Sequence, residues 1–216
     1  AIDIMTPMPA VHASVAAAGR VDGVTGKTIV LDPGHGGSDA GAIGPDGVQE
    51  KDVTLPVSEK VKAILQRSGA RVVMTRETDV DVYGPDATDR QELQARVNVG
   101  AYTPGMQVFL SIHCNSFSSP SANGSQTFYY PKSDYDAALA QDIQEELVAA
   151  DGLRDRGISE ANFYVVKHTD VPAALVELAF ISNYNEEGLL NSPEFQDKIA
   201  LAIAKGLGRF FQDSGI

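Results

Sequence analysis

The chain has 216 residues, of which 43% are apolar and 21% charged, a balance that excludes wholesale disorder and fibrous repeats. Its 17 Lys and Arg against 29 Asp and Glu leave a net charge of −12, with no basic stripe to neutralise phosphates, so a nucleic-acid partner is excluded. The longest stretch without a charged side chain, Val97 to Pro131, is broken by Pro104, Gln107, His113 and Asn115. It cannot supply the roughly 20 apolar residues of a membrane span.

Residues 1–26 have no aromatic residue and no sustained period, and Asp3, His12 and Ser14 break any signal-peptide pattern. They read as a linker or tail from a longer parent chain, with the folded domain over 27–213. From Lys27 the pattern alternates strand and helix. KTIVLD (27–32) is a strand ending at Pro33-Gly34, and Val53, Val57, Val61, Ile64 and Leu65 lie at helical spacing. Asp52 as N-cap would place Pro56 at the fourth helical position, where its missing N–H costs one bond.

RVVMTR (71–76) is the second strand. Thr88 and Gln91 have capping-box spacing for a helix that turns Leu93 and Val97 inward. QVFLSIH (107–113) reads as a central third strand covered on both faces, and SQTFYYP (125–131) as the fourth. A helix over Ser133 to Ala150 follows, with Leu139, Ile143 and Leu147 inward and Asp142, Glu145 and Glu146 outward. NFYVVK (162–167) and AALVELAF (173–180) are read as strands five and six. Ser192 and Pro193 open the last helix. The order implies a single α/β domain, a mostly parallel six-stranded sheet with helices on both faces.

Reactive groups in such folds gather at the carboxyl ends of strands. His35 follows strand one, His113 ends strand three, Glu177 lies near the end of strand six, and Glu50 precedes the first helix. A carboxylate in the run LVELAF is costly unless paired or metal-bound. Two imidazoles and one carboxylate make a catalytic zinc set, and a further carboxylate can act as general base; the spacing leaves open which glutamate does which. The same ligand types can hold iron, but the added carboxylate favours hydrolysis. Cys114, the single cysteine, forms no internal disulfide, and strand alternation turns it away from His113 into the core. His12 and His168 read as solvated.

The segments IVLDPGHGGSDAGAIG, QEKD, TRETD, SIHCNS and VPAALVELAFISNYNE resemble, in that order, the zinc-dependent N-acetylmuramoyl-L-alanine amidases of the AmiC type, the Amidase_3 family. The resemblance implies a peptidoglycan hydrolase that cuts the amide between N-acetylmuramic acid and L-alanine. It implies one Zn²⁺ per chain held by His35, Glu50 and His113, with Glu177 as the catalytic base. It also implies secretion to the periplasm or cell envelope and a role in wall remodelling or cell separation.

Asn115 and the Gly36 and Gly37 amides are candidates for orienting substrate. A monomer is expected, with wall targeting by other domains of the parent chain. Many members carry Ala at the position of Cys114. Regulated members insert a helix that blocks the site, whereas the 63 residues between His113 and Glu177 are already taken by two expected strands and the one helix over Ser133 to Ala150. The alternatives are a non-catalytic peptidoglycan-binding or regulatory module, and another zinc wall hydrolase such as a peptidase or deacetylase.

Overall fold

The computed structural model describes residues 19–216. Six strands form one sheet: β1 Thr28–Pro33, β2 Arg71–Met74, β3 Val108–Asn115, β4 Ser125–Tyr129, β5 Asp155–Glu160 and β6 Ala173–Phe180, in the order β2-β1-β3-β6-β4-β5. The first four neighbours run parallel, while β4 lies antiparallel to β6 and carries β5 parallel to itself. Helices α1 Lys51–Arg67, α2 Asp89–Ala101, α3 Asp134–Asp151, α4 Tyr164–Lys167, α5 Tyr184–Leu190 and α6 Pro193–Ser214 complete the domain.

The two faces of the sheet differ. On one, α1, α3 and α6 cover a large apolar core that takes Ile29, Leu31, Leu110, Ile112, Cys114, Val176 and Leu178 from the strands. On the other, α2 and α4 cover a smaller core built on Val30, Phe109, Ala173 and Leu175. Strand alternation sorts these sets. The strongest covering element is α6, with Ser192 accepting from the Phe195 N–H, Pro193 in the first turn and a long buried stripe from Phe195 to Phe211. The Thr88–Gln91 capping box of α2 forms as read from the sequence.

Four expectations are corrected. The fifth strand is the polar segment Asp155–Glu160, and Tyr164–Lys167 of NFYVVK is a short helix. The α1 N-cap is Glu50 rather than Asp52, which puts Pro56 two positions deeper, at the cost of one ladder bond. Asp142 is buried, drawn down by Arg209 of α6 at 3.0 Å, while Glu145 faces outward. The interval between His113 and Glu177 also holds two helices, α3 on the far face and α4 on the near one. Of the segment 1–26, residues 1–18, including His12, lie outside the described residues. Val21 and Val24 are buried in the main core, so the packed body starts ahead of Lys27.

The chain leaves β1 through α1 to β2 on one side, and leaves β3 toward β4 on the other. Loops therefore diverge at the carboxyl ends of β1 and β3, which opens a crevice there.

Candidate functional site

His35 follows β1, His113 lies near the end of β3, and Glu177 is its direct neighbour on β6 in the parallel register. The three side chains line one cleft of about 650 Å³ at the carboxyl edge of the sheet, walled by Leu93 of α2 and by Phe163, Tyr164 and Val165 around α4. Glu50 reaches the same place from the start of α1. Its Oε2 lies 3.0 Å from His35 Nε2 and its Oε1 lies 3.0 Å from His113 Nδ1. One donor atom from each of His35, Glu50 and His113 falls within 4.8 Å of the others, and the imidazole rings stand edge to face at 5.0 Å. Those three residues can hold a metal ion.

Each member of the trio is oriented by a second contact. Asp39 Oδ2 lies 2.7 Å from His35 Nδ1, which leaves Nε2 to face Glu50. The Cys114 and Ala42 N–H groups donate to Glu50 Oε1 and Oε2 at 2.9 and 3.0 Å. Two glycines make the space. A Cβ at Gly34 would collide with the His113 ring, and one at Gly41 (φ 68°) would stand 2.7 Å from both Glu50 Oε2 and His35 Cδ2. His35 itself has φ 60°, a left-handed conformation that costs a non-glycine residue about 1–3 kcal/mol.

The electrostatics separate the two glutamates. Burial raises the Glu50 carboxyl, but the two imidazoles more than reverse this, and it stays ionised well below the usual carboxylate range. Burial lifts Glu177 to about 7, with His113 working against the rise and the Glu50 charge adding to it. Its Oε2 is sealed from solvent and has no hydrogen-bond partner among the described residues. A group poised near 7 is suited to moving protons at neutral pH. Burial pulls the His35 imidazole down, while Glu50 and Asp39 outweigh it and bring its pKa to about 9.

The four residues nominated from the sequence come together here. Cys114 is buried on the opposite face as expected, and burial pushes its thiol well up. His168 is exposed. The Gly36 and Gly37 amides, expected to meet substrate, donate instead to Asp39 O at 2.9 Å and Asp79 Oδ1 at 2.7 Å. Asn115 ends β3 half-buried and is not among the residues that line the cleft. Sequence reasoning gave no role to Arg76 and Arg96, although TRETD contains the first. Their signal was an arginine next to each of two apolar segments, which is too common to select.

The N-acetylmuramoyl-L-alanine amidase family model, Amidase_3, matches residues 29–209. The chain belongs to this family. It is 39% identical over 204 residues to the germination-specific N-acetylmuramoyl-L-alanine amidase of Bacillus subtilis (strain 168), covering 89% of this chain and 83% of that one. It is 42% identical over 193 residues to the amidase LytC of the same organism, covering 88% of this chain and 36% of LytC. The CwlD amidase from Clostridioides difficile, solved in complex with the GerS lipoprotein, superposes with a TM-score of 0.81 at 34% identity, covering 87% of this chain and 99% of that one. The protein is thus a hydrolase of the lactyl–alanine amide in peptidoglycan, on the single α/β domain of this family. No helix among the described residues is long and apolar enough to cross a membrane.

Proposed function

We propose that this amidase binds one zinc ion through His35 Nε2, a Glu50 carboxylate oxygen and His113 Nδ1, and that Glu177 is its catalytic base. The observation that carries the reading is the convergence of three donors beside a sealed, unpartnered carboxylate oxygen. Two imidazoles and a carboxylate match the ligand set of hydrolytic zinc sites that keep a fourth position open. When bound, the ion would supply a Lewis acid and lower the pKa of a water toward about 7.

The chain's own residues do the rest. The Glu177 carboxylate takes the proton of the attacking water and returns it to the L-alanine nitrogen as the amide breaks. A carboxyl that sits near 7 exchanges that proton at little cost in either direction. Glu50 stays charged throughout and serves as ligand. Asp39 holds the His35 ring in the tautomer that presents Nε2. The aromatic and apolar wall of Phe163, Tyr164 and Val165 narrows the cleft and reduces water around the reacting amide.

The enzyme works outside the cytoplasmic membrane, on the wall in the cell envelope, as a monomer with an open site. Helix α3 packs against the far face, and α4 walls the cleft rather than filling it. A net charge of −12 gives no pull toward an anionic wall, so targeting falls to other parts of the parent chain. Mass analysis of fragments released from purified peptidoglycan tests the reaction: free stem peptides are expected, and cut sugars or cut cross-links would reject it. A chelator should abolish release and added zinc restore it.

A further inference from the structure

Three consecutive carbonyls, from the last residue of β1 into the loop after it, point at two buried arginines. Arg96 NH1 donates to Pro33 O at 2.8 Å and NH2 to His35 O at 2.7 Å. Arg76 Nε donates to Pro33 O at 3.1 Å and NH2 to Gly34 O at 2.9 Å. Thr54 of α1 adds its hydroxyl to Gly34 O at 2.8 Å. Both arginine residues are only 3% exposed, and like charges buried side by side are costly. Burial, and then the Arg96 charge, depress the Arg76 guanidinium.

Asp32 makes the arrangement possible. Its carboxylate takes Arg96 NH1 at 2.9 Å, Thr75 Oγ1 at 2.7 Å and Ser111 Oγ at 2.7 Å, one partner from each surrounding element. Glu92 takes the outer edge of Arg96. The backbone turns its oxygens inward to meet this fork, and that turn leaves His35 in its left-handed conformation with its ring thrown toward Glu50. Glycine would adopt such a backbone without help, but the ligand position requires an imidazole.

We propose that Arg76 and Arg96 are positioning residues for the metal: by fixing the carbonyls of Pro33, Gly34 and His35 they pre-set the His35 ring in ligand geometry. The inference rests on the zinc reading above. Lysine keeps the charge but has one nitrogen and no fork, so it cannot hold two carbonyls at once. The clamp acts on the backbone that carries the ligands, chiefly at Pro33, Gly34 and His35 and, through Arg76 NH2 on Lys51 O at 3.3 Å, beside Glu50, so saturating zinc compensates for its loss.

The test measures zinc affinity of the full chain by competition with a chromophoric chelator. The variants are Arg96→Lys, Arg76→Lys and the milder Thr54→Val, with Arg209→Lys on the far face as control. Unfolding temperature of the zinc-free protein and turnover at saturating zinc are read in parallel. The arginine variants should bind zinc about 10–100-fold more weakly, the range for lost outer contacts to ligands, and Thr54→Val several-fold more weakly. Turnover should return with excess zinc, and Arg209→Lys should match wild type.

Wild-type affinity in the folded variants overturns the inference, as does weakened affinity that excess zinc leaves inactive. If the arginine variants fail to fold, Thr54→Val decides alone. A wild-type chain that takes up no zinc rejects the metal reading and the clamp together, whereas zinc bound equally by wild type and Thr54→Val rejects only the clamp.

Discussion

The two faces of the sheet share the same strands and have opposite contents. Along β3, Leu110, Ile112 and Cys114 enter a dry core, while Ser111 and His113 between them meet Asp32 and Glu50. Along β6, Val176 and Leu178 pack inward and Glu177 faces the cleft. One residue of offset separates stability from chemistry, because successive side chains of a strand leave on opposite sides. The dry face is held mostly by apolar contacts, with a buried polar link from Thr127 of β4 to Gln144 of α3 at 2.9 Å. The wet face must hold each polar group with another, and Glu177 Oε2 is the atom left over.

That contrast can be broken from either side. His113→Ala should abolish zinc binding and reduce turnover to background, with a fold intact by circular dichroism, since the dry face is untouched. Full zinc occupancy in this variant would show that His113 is no ligand. Asp32→Asn attacks the support of the wet face and should cost about 3–5 kcal/mol, the range for breaking a buried ion pair.

Its pH dependence has a defined sign. Burial opposes the charge of Asp32, but Arg96 and the Thr75 and Ser111 hydroxyls outweigh it, so the folded pKa lies below 3.8. The stabilisation is full above the unfolded value and is lost as pH falls through the folded one. Urea titrations should show a constant gap between wild type and Asp32→Asn from pH 5 to 8 that narrows below about pH 4.

On the dry face, Leu178→Ala should cost about 2–5 kcal/mol for a fully buried leucine and leave one zinc per chain. Loss of metal here would mean that the faces are coupled through β6. Cys114→Ala is the mildest change, near 1 kcal/mol, with turnover unchanged; the contact that Cys114 makes with Glu50 is through its backbone N–H, which alanine keeps.

Where apolar residues decide placement, the sequence was readable. The stripes of α1, α3 and α6, and the caps at Thr88 and Ser192, lie where pattern and local chemistry put them. The polar elements were harder to read. Strand β5 pairs only with β4 at the sheet edge, so DRGISE carries no apolar signature. NFYVVK, rich in β-branched and aromatic residues, forms α4 because Val165 and Val166 cover the smaller core. Helix α5 went unread because Glu186 and Glu187 anchor it by accepting backbone N–H groups of Gly124, Phe180, Asp46 and Val48 rather than by an apolar stripe; Asn183, its N-cap, was the available signal. At the site, strand ends and a costly buried carboxylate selected the four principal residues. The partners of the Gly36 and Gly37 amides, Asp39 and Asp79, come from loop geometry that no periodicity encodes.

The division of labour between the glutamates is tested most directly by Glu177→Gln, with zinc stoichiometry and peptide release measured on the same sample. Glutamine keeps the size of the side chain and cannot accept the proton. The variant should bind one zinc per chain with wild-type affinity and release peptides about 10²–10⁴-fold more slowly, the usual cost of a lost general base. Loss of the metal, or release at the wild-type rate, would contradict the account.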